Sequence, residues 1–301
     1  MTGTTRRCLL PALLLLLSAG ALPALQPPVP EPLRDLARLQ RDSNPARLEA
    51  LQEILRERGI PFELETFESK ESPHGRTKGT NVVITFGAGP REITVGAHYD
   101  AVERKNGELI DGMVDNGAGT IALVRLAEAL KGRTLRHRVR ILLFDMEEVG
   151  LLGSKAYVAA HKPEIAAAVN LDIAGFGDTV VYGLGEAEGT ARIHQALGTV
   201  CAERRLPCLE FPEFPPGDNL SFQAADIPAI SIGFLPRLQA HQLWLFLNGG
   251  ESSGLEKGFL PGIMKIIHTP EDTLDKIEPA TLDLAFQVVL ETVLKLDAAL
   301  E

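Results

Sequence analysis

With 301 residues, 45% of them hydrophobic and 23% charged, the chain has an ordinary globular composition and enough apolar material for one large domain or two small ones. A formal net charge of -10 argues against a nucleic-acid backbone or an anionic membrane as the main partner, because both reward clustered Lys and Arg. An acidic chain can instead hold divalent cations.

In chain order, Arg6 and Arg7 precede an apolar run from Cys8 to Leu17, and Ala19-Gly20-Ala21 follows as a small-residue cleavage site. This predicts a signal peptide over residues 1–21 and one domain over residues 22–301, exported to the periplasm or the extracellular space. The run is about half of the roughly 20 residues that cross a bilayer, so no membrane attachment is expected after signal removal. Cys201 and Cys208 then remain, either joined as a disulfide or buried as two independent thiols.

A proline-rich stretch, 25–32, leads into a predicted surface helix over 45–60, where Leu48, Leu51, Ile54 and Leu55 form one stripe. Short β-branched runs follow at 62–67, 81–86, 92–100, 138–145, 166–175, 179–185 and 227–234, with helical patterns at 117–132 and 280–301. Near-continuous apolar strands alternating with helices predict an α/β fold: three layers, α/β/α, around a central, mostly parallel mixed sheet. Residues 235–262 carry the only Trp, Trp244, and a Gly/Ser break, and read as an insertion that either walls a pocket or caps the fold.

The run "RVRILLFDMEEVG" drives a strand into two adjacent carboxylates, Glu147 and Glu148, which repel each other and resist leaving water. Alone, they read as the solvated start of the next element. Other segment ends behave alike: 92–100 closes on His98 and Asp100, 166–175 passes through Asp172, Asp115-Asn116 opens a helix, and His268 opens "HTPEDT". Each has an ordinary explanation, such as a helix cap at Asp115 or Asn116, or a capping box in "TPED". In open α/β sheets, however, chemistry collects beyond the carboxyl ends of the strands, and that many gathered acids need a cation. Imidazoles with carboxylates suit Zn²⁺, and one carboxylate can bridge two ions.

The segments "GAHYDA", "DGMVDNGAGTIALVRLAEAL", "LLFDMEEVGLLGS", "NLDIAG" and "HTPEDT" resemble, in order, the five motifs of the bacterial di-zinc leucyl aminopeptidase family, which also holds glutaminyl cyclases and transferrin-receptor-like domains. The resemblance spans roughly His98 to Thr273. It implies a zinc-peptidase fold with two Zn²⁺ per chain and Asp115 between them, His98 and Asp172 completing one site, Glu148 and His268 the other. Asp100 would accept a hydrogen bond from the far nitrogen of His98, and Glu147 would be the general base acting on a water shared by the ions. The implied substrates are peptides with a free N-terminus.

The chain departs from the family pattern in one loop. Where relatives commonly carry Ser-Asp-His, this sequence has Gly217-Asp218-Asn219, preceded by Phe214, Pro215 and Pro216, none with a side-chain donor. Glutaminyl cyclases usually replace the residue after the bridging aspartate and place Trp before the last histidine; Asn116 and Ile267 here favour the hydrolase. A non-catalytic binding module of the same fold would tend to lose ligands, and all five remain, with the base.

Overall fold

The computed structural model describes residues 30–70, 76–185 and 187–300, so the expected signal peptide lies outside the described residues. After a short helix α1 (Glu31–Ala37), the stripe of the first predicted helix forms α2 (Asn44–Glu57), capped by the Ser43 side chain and buried through Leu51, Ile54 and Leu55. All seven predicted runs become strands. They are β1 (Glu63–Glu68), β2 (Lys78–Phe86), β3 (Glu92–His98), β4 (Arg138–Phe144), β5 (Ile165–Leu171), β6 (Thr179–Gly183) and, after an unanticipated β7 (Cys208–Phe211), β8 (Ala229–Leu235). β7 has only four residues, too few for alternation to register.

The eight strands form one mixed sheet in the order β1-β2-β4-β3-β5-β8-β6-β7. The central four, β4-β3-β5-β8, run parallel, with antiparallel pairings at β1-β2, β2-β4 and β6-β8. β3, β5 and β8 are buried along their whole length because helices cover both faces, which is why they read as continuous apolar or small runs. Gly96 in β3 lets Phe144 lie close, since a Cβ there would sit 2.5 Å from the ring.

On one face lie α3 (Ala118–Leu130), α5 (Thr190–Arg204) and α8 (Pro279–Ala299); on the other lie α4 (Leu152–His161) and the short α6 (Asn219–Gln223). The first face carries the larger core, and a smaller cluster around Val83, Phe144, Tyr157 and Phe222 fills the second. Residues 235–262 are less an insertion than expected: Leu235 ends β8, and α7 (Arg237–Asn248) follows. Cys201 at the end of α5 is disulfide-bonded to Cys208 at the start of β7. Among the described residues, no helix is long and apolar enough to cross a membrane.

One feature of the sheet positions the site. Registers pair His98 with Phe144 across β3-β4, and Gly96 with Asn170 across β3-β5. The carboxyl ends of three parallel strands are therefore level, and whatever follows each strand meets its neighbours.

Candidate metal centre

The chain after each level strand end supplies a polar side chain. His98 is the last residue of β3, Glu147 and Glu148 lie in the turn after β4, and Asp172 follows β5. Asp115 sits in a kinked turn ahead of α3 with non-helical backbone angles, and the Asp115–Asn116 peptide bond is cis. Asp115 and Asn116 are thus not the cap of α3, a position that Gly117 takes. Asn116 instead donates to the carbonyl of Leu171 at 2.7 Å, and Gly119 leaves room for it, since a Cβ there would lie 2.1 Å from Asn116 Oδ1. "TPED" begins no helix either; His268 to Glu271 form turns.

The predicted residues converge. His98 Nε2 lies 3.0 Å from Asp115 Oδ1 and 3.7 Å from Asp172 Oδ1. His268 Nε2 lies 3.1 Å from Asp115 Oδ2 and 3.2 Å from Glu148 Oε2. Ligand atoms of His98, Asp115 and Asp172 all fall within 4.8 Å of one another, as do those of Asp115, Glu148 and His268; a third grouping joins His98, Glu147 and Glu148. His98 Nδ1 faces Asp100, 3.6 Å from its carboxylate and 3.1 Å from its main-chain carbonyl, and the carboxylate oxygens also accept the amides of Glu147 and Glu148 at 3.1 and 3.3 Å.

Three residues beside these groups hold a positive φ that side chains rarely adopt: Met146 at 60°, Ile173 at 65° and His268 at 58°. For β-branched Ile173 this is strained backbone, of the kind that collects at functional sites.

The electrostatics follow from burial and crowding. Burial pushes Glu148 up to about 7, with the Asp115 charge adding and His268 opposing. Glu147 is raised well above the carboxylate range by burial, reinforced by Asp218, Asp172 and Glu148 against His98, and burial likewise raises Asp172. Only Asp115 is held low, its hydrogen bonds to His268 and His98 outweighing burial. His268 is pushed up to about 11 by its bonds to Asp115 and Glu148. Burial opposes the charge on His98, but Glu147 and its contacts with Asp100, Asp115 and Asp172 raise it well above its ordinary value.

The protein's own groups cannot all ionise here, and Glu148 Oε1 is buried with no hydrogen-bond partner among the described residues. Two imidazole nitrogens and carboxylates in two clusters that share Asp115 are a donor set that fits divalent zinc. The His98 side chain is 1% exposed and that of His268 is 56%, so one cluster is deep and the other faces solvent.

A cavity of about 620 Å³ opens on this cluster. Its walls include Ile173, Pro216, Leu243, Leu247, Ile263 and Ile267, so the segment expected either to wall a pocket or to cap the fold walls one, through α7. Its side-chain donors are His268 and Thr269, and the Thr269 hydroxyl donates to the Ile266 carbonyl. Pro215 and Pro216 offer none, as anticipated. Asp218 is fully buried and pushed up to about 7 by burial, with Ser154 opposing.

Sequence reasoning missed Asp272, which it read as part of a capping box. Its oxygens accept the amides of Val114 at 2.6 Å and Asp115 at 3.0 Å. Only an acid two residues beyond proline in "HTPEDT" hinted at it. The buried pair Asn44 and Arg47 was missed too, since on α2 they read as polar surface.

A mixed sheet whose parallel central strands deliver histidines and carboxylates to one crevice defines the class: an α/β protein with a candidate metal centre. The chain belongs to peptidase family M28, whose family model matches residues 81–293. It is 28% identical over 152 residues to leucine aminopeptidase 2 of Trichophyton equinum, an alignment covering 46% of this chain and 29% of that relative, so it spans under a third of the relative's length. Among solved structures it is similar to BSAP, a zinc aminopeptidase from Bacillus subtilis, with TM-score 0.56 and 22% identity over 73% of this chain and 50% of that one. An Acidobacteriales bacterium glutaminyl cyclase matches with TM-score 0.65 and 18% identity, over 93% of this chain and 99% of that one.

Proposed function

We propose that the protein is an exported aminopeptidase that binds two zinc ions and hydrolyses the N-terminal bond of peptides with a free α-amino group. The observation that carries this reading is the Asp115 carboxylate, one oxygen turned to His98 and the other to His268. His98 and Asp172 would hold one ion, Glu148 and His268 the other, and Asp115 both. When bound, the ions would supply Lewis acidity towards a carbonyl and acidify water.

Glu147 lines the cavity, and burial keeps its proton affinity high. A group of that kind takes a proton from water and returns it to the leaving amine. Asp100 holds the Glu147 amide and, through its carbonyl, the His98 ring. The apolar walls would receive an apolar first side chain and exclude water beside it. The names of the curated relatives support peptide substrates, and one catalytic domain is in keeping with the family match. The Cys201–Cys208 disulfide and the signal-like N-terminus support export, because disulfides persist in oxidising compartments.

The near full-length likeness to a glutaminyl cyclase keeps a second reading, cyclisation of N-terminal glutaminyl peptides on one zinc. Asn116 and Ile267 weigh against it. A panel of aminoacyl anilides beside an N-terminal glutaminyl peptide decides: anilide hydrolysis lost to a chelator and restored by zinc supports the aminopeptidase. Cyclisation without anilide hydrolysis selects the other reading, and neither activity in zinc-loaded protein removes both.

A further inference from the structure

Arg47, in the first half of α2, is fully buried, yet its four hydrogen bonds among the described residues all go to main-chain carbonyls. Nε donates to Tyr99 at 2.7 Å, Nη1 to Leu39 at 3.1 Å and to Asp111, and Nη2 to Gly112 at 3.3 Å. Asn44, on the same helix face three residues earlier, is also buried. Its amide donates to the Ala101 carbonyl at 3.0 Å and accepts the Ala101 amide at 2.9 Å.

The acceptors are not scattered. Tyr99 and Ala101 flank Asp100 in the loop that His98 opens, and Asp111 and Gly112 lead into the turn that carries Asp115. A buried guanidinium is costly unless its donors are satisfied, and the planar fork of arginine reaches several acceptors that a single ammonium cannot. Burial lowers Arg47 only to about 10, so it remains a cation behind an acidic site, with Asp100, Asp272, Asp111 and Glu148 favouring its charge.

We propose that Arg47, assisted by Asn44, is a positioning residue that fixes the spacing between the His98–Asp100 loop and the Asp115 turn. The inference rests on the reading of that site as a metal centre. Among the described residues the guanidinium makes no hydrogen bond to a candidate ligand side chain; it acts on the main chain from which His98 and Asp115 are aimed. Partners that hydrogen-bond a ligating side chain change metal affinity by about 10–100-fold when removed, and a residue that fixes the main chain behind two ligands acts on the same geometry.

The test compares Arg47→Met, Arg47→Lys and Asn44→Ala with Leu197→Ala, a fully buried position on α5 that belongs neither to the cavity wall nor to a candidate metal grouping. Zinc affinity is measured by competition with a chromogenic chelator, and main-chain order by amide hydrogen exchange. The expected result is a zinc affinity lowered about tenfold or more in the folded Arg47 variants, with faster exchange at residues 99–101 and 112–117 than in α8. Leu197→Ala should lower thermal stability and leave zinc affinity unchanged. Should Arg47→Met fail to fold, Arg47→Lys and Asn44→Ala carry the same comparison. Zinc binding equal to that of the unsubstituted protein overturns the proposal, as does an equal loss in Leu197→Ala. If the unsubstituted protein binds no zinc, the functional reading fails on its own, and exchange still decides: unchanged protection of 99–101 and 112–117 in these variants refutes the clamp.

Discussion

Asp272 Oδ2 lies 3.0 Å from the main-chain nitrogen of Asp115, so an acid 157 residues further along the chain holds the backbone from which the shared carboxylate projects. Its other oxygen accepts the amide of Val114, and the residue is 1% exposed. The loop that carries His268 is thereby tied to the turn that carries Asp115, and the two sides of the solvent-facing cluster cannot drift independently.

Asp272→Asn would present an amide N–H where an acceptor is needed, leaving a buried main-chain donor unsatisfied at a cost of about 1–3 kcal/mol. Thermal unfolding should show a lower Tm, and titration with zinc a weaker site. A variant with undiminished zinc affinity would show that the tie does not aim Asp115.

Glu147→Gln keeps the size of the side chain and removes its capacity to take a proton. Elemental analysis should find zinc content unchanged, and kcat should fall at least ~10²-fold. Near-normal turnover in the zinc-loaded variant would take the base role from Glu147. Asp115→Ala should behave differently and lose metal outright, because both clusters share that residue.

What could be read in advance was whatever repeats a local pattern. β3 and β5 announce themselves as short apolar runs, and His98, Asp115, Glu148, Asp172 and His268 stand at the ends of such runs or in motifs of fixed order. The supports of those residues are not local. Arg47 sits in an ordinary amphipathic helix, and nothing in the spacing of its neighbours says that three of its four partners lie 52 to 65 residues away. Asp272 fits a capping pattern that the chain does not use, because its amide partners come from a distant turn. The contact between Nδ1 of His98 and the Asp100 carbonyl depends on backbone direction after β3, which side-chain identity does not encode.

The metal-free protein should lose stability as pH rises from about 5 to about 7.5. Glu148 and Asp218 are pushed up to about 7, and Asp272 and Asp145 to about 6, all chiefly by burial. Unfolded carboxyls ionise near ~4, so across this window the folded state binds more protons than the unfolded one, and stability falls with pH. His98 and His268, both raised, contribute stability that is full below about 6.5 and lost as pH rises through their folded values, which has the same sign. Asp115, held low, acts with the opposite sign only below about 4. Saturating zinc should reverse the trend, since ligands bind it deprotonated. Unfolding midpoints with chelator and with zinc at pH 5 and 7.5 check this; a Tm in chelator that rises with pH would contradict it.

The apolar wall built by α7 makes the choice of first residue testable without touching a candidate ligand. Leu247 is half-buried and lines the cavity with Leu243 and Ile267. Leu247→Trp would occupy part of the space that a branched first side chain needs while leaving room for a methyl group. One extra or missing methylene in an apolar pocket shifts kcat/KM by roughly 10–200-fold. The leucyl anilide should therefore lose about tenfold or more relative to the alanyl anilide, with kcat for the alanyl substrate retained. If both substrates fall together, the cavity beside α7 does not receive the first side chain. If neither changes, the substrate leaves this wall untouched.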